Sequence, residues 1–267
     1  MRILITFFAN SSLFIALMAL SFYYFYAEVL THQFNINQAI IIFCATLFSY
    51  IGVQLYPSFN SLKATETKRS LWIKEHKKLL TAFAIISFLF LFYFAFKIKI
   101  ELLLIYFHLF ILTLFYENIL TVRFSIRRIP YIKPFVIAYI WSWTCIPYTS
   151  LYQSLLPHLE AFTFILALSI PFDIRDMEND IKDGILTIPI KLGLKWTKIL
   201  CLLIFFVFLT LQAYLIPTSI AFFVLSGLFF LVYSFMLYKT YPYQNDALFL
   251  YGFDGLICIK LLFLLVI

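Results

Sequence analysis

Nine apolar runs, each seventeen to twenty-five residues long, divide this 267-residue chain, and only short polar links separate them. They cover 3–27, 39–57, 79–96, 100–120, 134–151, 158–174, 197–215, 218–238 and 247–267. A helix needs about 20 apolar residues to cross the hydrocarbon of a bilayer. Lipid offers no partner for backbone N–H and C=O groups, so runs of this length are helices and not strands. The pattern predicts an all-α, polytopic transmembrane bundle of about nine helices, filling residues 1–267 as one domain.

Composition removes the soluble alternatives. Hydrophobic residues make up 64% of the chain and charged ones 12%, roughly half the charge of a soluble domain. The net charge of +7 would serve nucleic acid only on an exposed basic surface, and no stretch clear of the apolar runs supplies one. No nucleic-acid partner is expected. Cys44, Cys145, Cys201 and Cys258 each lie inside an apolar run, with no CxxC pair and no His at ligand spacing, and read as buried, inert thiols. The first run is too long for a signal-peptide core and lacks a clear small-residue cleavage site, so it reads as the first span. Eight of the nine prolines fall at or near run ends, where a missing N–H costs little, and Pro147 lies inside the fifth run near its far end. The abundant Phe and Tyr read as lipid-facing and interfacial surface.

Lysine and arginine set the orientation. With the N-terminus inside, 17 of the 20 fall at the cytoplasmic side: Arg2, the six between 63 and 78, the four between 123 and 133, the five between 175 and 198, and Lys239. The opposite side receives Lys97 and Lys99, and Lys260 falls within the last run. This is a strong positive-inside bias. It predicts a multi-pass membrane protein, in the plasma membrane if the source is bacterial, with cytoplasmic N-terminus and charged loops.

The acids are concentrated. Five of thirteen lie between 173 and 183: Asp173, Asp176, Glu178, Asp180 and Asp183. The stretch directly follows the sixth run and prolongs it if helical. Spacings of three, four and three then stack Asp173, Asp176, Asp180 and Asp183 on one face. Such a row repels itself, the more so at a membrane edge, unless a cation sits on it. Carboxylates without His or Cys favour a hard ion, Mg²⁺ before Zn²⁺. The competing reading is a solvated acidic loop that ends a helix, with Arg175 and Lys182 as local ion-pair partners.

Asp173, Asp176 and Asp180, followed by Gly184, Thr187, Pro189, Leu192 and Gly193, resemble the second aspartate-rich motif of the UbiA-type prenyltransferase superfamily. The likeness extends to the span layout and so covers the whole chain. It implies an intramembrane helical bundle that transfers a prenyl group from an allylic diphosphate to an aromatic or other lipophilic acceptor, with Mg²⁺ held by aspartates. On this likeness Asp173, Asp176 and Asp180 hold Mg²⁺ against the diphosphate, with Asp183 as a fourth candidate ligand, and Asp176 and Asp180 carry catalysis. The stretch containing Tyr116, Arg123, Arg127, Arg128 and Lys133 resembles the family's Tyr and Lys-Arg region, making Tyr116, Arg127, Arg128 and Lys133 candidate substrate contacts. The competing reading of these cations is loop charge that fixes topology. Lys182 divides between a diphosphate contact and an ion pair within its helix.

The chain departs from the family pattern after its second run. Where a first aspartate-rich motif is due, residues 50–63 contain no Asp; Gln54, Tyr56, Asn60 and Lys63 stand there. Gln54 and Lys63 are the candidates for direct contact with phosphate, a cation or amide replacing metal. The alternative function is a divergent, non-catalytic member that binds a prenyl or lipid diphosphate. A transporter is disfavoured, since the chain shows no inverted repeat and no pair of broken helices in matching halves. Among polar residues within runs, Gln54, Glu117 and Asn118 are placed to face the same cavity. His108 and Asp254 read as interhelical hydrogen-bonding groups, Asp254 with Lys260 as its candidate partner.

Overall fold

A computed structural model describes residues 7–8, 10–59, 68–116, 126–150, 154–242 and 248–267. Every regular element among them is helical: α1 Leu13–Thr31, α2 Ile36–Phe59, α3 Lys68–Glu75, α4 Lys77–Ala95, α5 Ile100–Tyr116, α6 Lys133–Thr144, α7 Leu156–Lys182, α8 Ile188–Leu215, α9 Ile220–Tyr238 and α10 Leu256–Ile259. A π-helical turn, Leu248–Phe253, precedes α10, and a 3-10 segment, Lys260–Val266, follows it. Among the described residues, six helices are long and apolar enough to cross a membrane: α1, α2, α4, α7, α8 and α9.

The other three expected spans are helical but short or broken. Helix α5 has 17 residues. Helix α6 stops at Thr144, although its apolar run continues to Ser150 and Leu151. Proline restricts the residue before it to extended conformations, so the helix closes with Cys145 as its cap, ahead of Pro147. The last run passes through a π-turn and a 3-10 segment around Gly252 and Gly255. The acidic stretch does prolong the sixth run, and α7 is a continuous helix of 27 residues.

Helix α7 is the axis of the bundle. Ala161, Phe164, Ile165, Ala167, Leu168 and Ile170 are all buried on it, so it is apolar on every side over that stretch, as expected for a helix enclosed by others. It packs between α6 and α8. Pro171 sits within it and cannot donate to the carbonyl of Ala167. The Tyr233 hydroxyl of α9 donates to that carbonyl instead, at 2.7 Å. A neighbouring helix thus satisfies the freed acceptor, the condition for proline inside a membrane helix. Phe205 of α8 stacks on the same Tyr233 ring at 4.1 Å between centroids. The aromatics divide between core and surface, not all facing lipid as the sequence suggests: Phe22, Phe25, Phe164 and Phe208 are buried, whereas Phe88, Phe92 and Tyr93 of α4, Phe206 of α8 and Phe235 of α9 are exposed.

A charged pair lies in the core between α1, α7 and the C-terminal segment. The Lys260 ammonium is fully buried, 2.6 Å from Glu160 Oε1 of α7 and 2.9 Å from the Tyr26 hydroxyl of α1. Tyr26 in turn donates to Glu160 Oε2. The partner expected from sequence, Asp254, is not the one found. Glu160 lies a hundred residues away in sequence, on another helix, where no local spacing points to it. Of the cysteines, Cys44, Cys145 and Cys201 are buried and Cys258 partly so, all as free thiols.

Candidate functional site

The acidic end of α7 is closed by its glycine. Asp183 caps the helix, and Gly184 takes a left-handed φ of 68° that a side chain would strain. The Gly184 N–H donates to Ile181 O at 3.1 Å and the Ile185 N–H to Asp180 O at 2.8 Å, the paired bonds of a Schellman ending. The chain turns from there into α8, whose first turn contains Pro189 and whose axis breaks at Gly193, with φ 75° and ψ 166°. The glycines and proline of the motif therefore serve the turn between two helices, and Asp173 and Asp180 before them face inward.

That same turn draws in the cationic loop. Leu186 O accepts from the Tyr131 N–H at 3.0 Å, and Tyr131 itself adopts a left-handed φ of 64°. This bond sets the short segment between the 3-10 turn Ile126–Arg128 and α6 against the end of α7. Lys133, first residue of α6, then projects onto the acid face. Its Nζ stands 2.8 Å from Asp173 Oδ1, 3.2 Å from Asp180 Oδ2 and 3.9 Å from Asp176 Oδ2. Lys133, Asp173 and Asp180 are nearly sealed from solvent, at 8%, 1% and 0% exposure. Arg127 Nη2 reaches Asp180 Oδ1 at 3.5 Å, and Arg175 holds Asp176 through two nitrogens at 2.7 and 3.0 Å. Two-point contact of this kind fixes a carboxylate's orientation as well as its charge.

The remaining candidates are more dispersed. Asp183 and Lys182 are exposed at the helix end, outside the buried group, and Arg128 is exposed on its turn. Gln54 Nε2 donates to Ser12 Oγ at 2.8 Å, bracing α2 against the residue that precedes α1. Lys63, Glu117, Asn118 and Arg123 lie outside the described residues. Tyr116 is buried and lines a cavity.

That cavity is the feature sequence reading could not locate. About 300 Å³ in volume, it lies between α1, α2, α5 and α6. Its aromatic lining is Tyr50, Tyr106, Phe110, Tyr116 and Trp141, joined by aliphatic side chains and by Thr46, Ser49, Thr113 and Thr144. Ile137, Ile140, Trp141 and Thr144 follow Lys133 at four, seven, eight and eleven residues, along one stripe of α6. The same helix therefore presents a cation to the acids at its start and a cavity wall thereafter. From Ile41 to Val53 the wall along α2 is about 18 Å long at 1.5 Å per residue. Gln38 of α2 donates to Tyr106 Oη at 3.0 Å and to Ile146 O at 3.1 Å, tying α2 to α5 and to the segment after α6.

A membrane-embedded helical bundle with a buried charged cluster where α6 meets α7 and an aromatic-lined cavity along α6 is the class these observations define. Residues 74–260 match the UbiA prenyltransferase family, and the chain belongs to it. It is an integral, multi-pass membrane protein whose family activity is prenyl transfer. Among solved structures, a UbiA homologue from Archaeoglobus fulgidus bound to GPP and Mg²⁺ is 16% identical, with a TM-score of 0.66 and coverage of 96% of this chain and 97% of that one. An apo UbiA homologue from Aeropyrum pernix K1 is 15% identical, with a TM-score of 0.64 over 94% and 97% of the two chains. A digeranylgeranylglyceryl phosphate synthase is 15% identical, with a TM-score of 0.59 over 100% and 99%. At these identities the likeness establishes the shared fold. Among curated proteins, none matches the sequence.

The family implies a divalent ion, and the donor set can be tested against one. All candidate donors are hard carboxylate oxygens, which suit Mg²⁺. Asp173 Oδ2 is buried without a hydrogen-bond partner, and so is Asp180 Oδ1 apart from its longer ion pair with Arg127. Two inward oxygens are thus left over when Lys133 has been served, and the residues fit a hard ion. Among the described residues no group of three acidic, His or Cys side chains is placed to hold a metal ion as it stands; the three aspartates face the Lys133 ammonium instead.

Proposed function

We propose that this protein transfers a prenyl group, within the membrane, from an allylic prenyl diphosphate to an aromatic or other lipophilic acceptor. The observation that carries the reading is the junction along α6 between a buried cation–carboxylate cluster and an aromatic cavity of about 300 Å³. A prenyl diphosphate is divided the same way, into a head with about three negative charges and an apolar tail.

In this account the head lies at the charged cluster, with Lys133, Arg127 and Arg128 as cationic contacts and Gln54 and Lys63 as candidates on the opposite side. A Mg²⁺ ion held by Asp173, Asp176 and Asp180 would neutralise charge on the diphosphate oxygens as the allylic C–O bond ionises. Lys133 and Arg127 add donors at the leaving oxygens, where charge develops. The tail follows the α6 stripe into the cavity, where Tyr106, Phe110, Tyr116 and Trp141 offer ring faces to the allylic cation. Their apolar surroundings keep water from capturing it. The acceptor attacks the allylic carbon and releases its proton, and the diphosphate leaves through the charged mouth. The distribution of 17 of 20 lysines and arginines supports a cytoplasmic mouth and N-terminus, in the plasma membrane if the source is bacterial.

A second reading, diphosphate binding without transfer, is favoured by the absence of Asp from residues 50–63. One assay separates the two. Purified protein is incubated with labelled prenyl diphosphates, Mg²⁺ and a lipid extract, and labelled lipids are identified by mass spectrometry. A prenylated acceptor and free diphosphate are expected in equal amounts. Saturable binding of the labelled diphosphate with no product would leave the second reading in place.

A further inference from the structure

Lys133 is in an unusual position for a substrate contact. Its ammonium is buried, and its nearest neighbours are the aspartates that would hold a metal: Asp173 at 2.8 Å, Asp180 at 3.2 Å and Asp176 at 3.9 Å. An ammonium is a compact point charge with three donors on a flexible four-carbon stem. Here one cation takes an oxygen from each of three carboxylates that would otherwise repel one another in a poorly solvated site. A hard divalent ion would bind the same carboxylates at about 2.0–2.1 Å, through Asp173 Oδ2 and Asp180 Oδ1, which Lys133 leaves open. It would then stand close to an ammonium that is itself 2.8 Å from Asp173, and two like charges repel strongly in a poorly solvated site. The ion therefore binds well only when Lys133 is drawn away.

We propose that Lys133 is the resident cation of the acid face and the determinant that couples metal entry to substrate. Resting on the diphosphate-binding reading above, the sequence of events is as follows. Without diphosphate, Lys133 neutralises Asp173 and Asp180, and a divalent ion binds weakly. An arriving diphosphate gives the ammonium a new anionic partner. The long stem swings the head away while the backbone, fixed by the Tyr131–Leu186 bond, stays in place. The carboxylate oxygens and those of the diphosphate then coordinate the ion together. Metal and diphosphate accordingly bind with positive coupling, and Lys133 sets its size.

The test measures Mn²⁺ binding by electron paramagnetic resonance on detergent-purified full-length protein, with and without inorganic pyrophosphate. Wild-type protein is expected to bind Mn²⁺ at least about tenfold more tightly when pyrophosphate is present. Lys133→Met should bind Mn²⁺ alone at least about tenfold more tightly than wild type does, because a like charge has left the site, and pyrophosphate should then add less. Lys133→Arg, which keeps the charge, should keep the coupling. If pyrophosphate and Mn²⁺ bind jointly to wild type but Lys133→Met leaves Mn²⁺ affinity unchanged or weaker, this inference falls and the proposed function stands. If no form of the protein binds pyrophosphate, the proposed function falls and takes the inference with it. Should Lys133→Met not fold, acylation of Lys133 in wild-type protein, read by mass spectrometry, supplies the result. Saturating Mn²⁺ should speed its labelling as the ammonium is displaced, and an unchanged rate overturns the inference.

Discussion

Asp176→Asn and Asp180→Asn are each expected to lower prenyl transfer by at least about a hundredfold, the scale of removing one preorganised group that meets developing charge. Both should also lose the joint binding of divalent metal and diphosphate while remaining folded. Asparagine keeps the shape of aspartate, and in Asp180→Asn the Lys133 ammonium still has Asp173 at 2.8 Å. In Asp176→Asn the two-nitrogen contact of Arg175 is weakened, a change at a partly exposed carboxylate that the fold tolerates. Asp183→Asn is the internal control. Its side chain is exposed at the helix cap, away from the buried group, so the substitution should be nearly silent. Titration with Mn²⁺ and pyrophosphate, together with product assays on the same preparations, checks all three. Retained metal binding in both Asp176→Asn and Asp180→Asn would reduce the acidic stretch to a solvated helix end.

The second large effect concerns stability. Lys260→Met should destabilise the bundle by about 3–5 kcal/mol, because it leaves Glu160 buried without its counter-charge. Glu160→Gln should cost a comparable amount by orphaning the ammonium. The double variant, Glu160→Gln with Lys260→Met, should recover most of the loss, since removing both members of a buried pair is far cheaper than removing one. The surroundings sharpen the contrast. Lys260 Nζ stands between 4.5 and 5.0 Å from the ring centroids of Phe22, Phe25, Tyr26, Phe164 and Phe208. Ring faces attract a cation and do nothing for a lone carboxylate. Lys260 also joins the irregular C-terminal segment to α1 and α7, so the single variants should first release that segment. Unfolding followed in detergent, with hydrogen exchange to locate the first opening, reads both effects. A double variant no more stable than either single one would show that the pair is not the source of the loss.

How much of this was legible in the sequence depends on how far apart the causes lie along the chain. Helices, membrane class and acid face are short-range signals: apolar runs of bilayer length, and Asp173, Asp176 and Asp180 at helical spacing. The ends of the spans were less readable. The run through residue 151 concealed the end of α6 at Thr144, because apolar composition does not register the backbone restriction that Pro147 imposes on its neighbour. Pro171 gave the converse difficulty, a helix breaker retained within α7 because a tyrosine from α9, more than sixty residues on, takes up the spare carbonyl. Lys133 was recognisable as a phosphate candidate, but its hold on three carboxylates arises from the Tyr131–Leu186 bond between distant segments. The cavity was the least readable feature. Phe110 lines it and Phe92 faces outward, and nothing in the residue type separates them.

In the proposed reaction the prenyl chain lies in the α2–α5–α6 cavity while its diphosphate rests on the α7 acid face. A prenyl diphosphate carrying a diazirine at its terminal isoprene unit tests this directly, through photo-crosslinking in membranes and peptide mapping. The account predicts adducts at Tyr106, Phe110 or the α6 stripe from Ile137 to Thr144, suppressed by unlabelled prenyl diphosphate. Adducts confined to the exposed faces of α4, α8 or α9, or adducts that unlabelled diphosphate does not suppress, would contradict it.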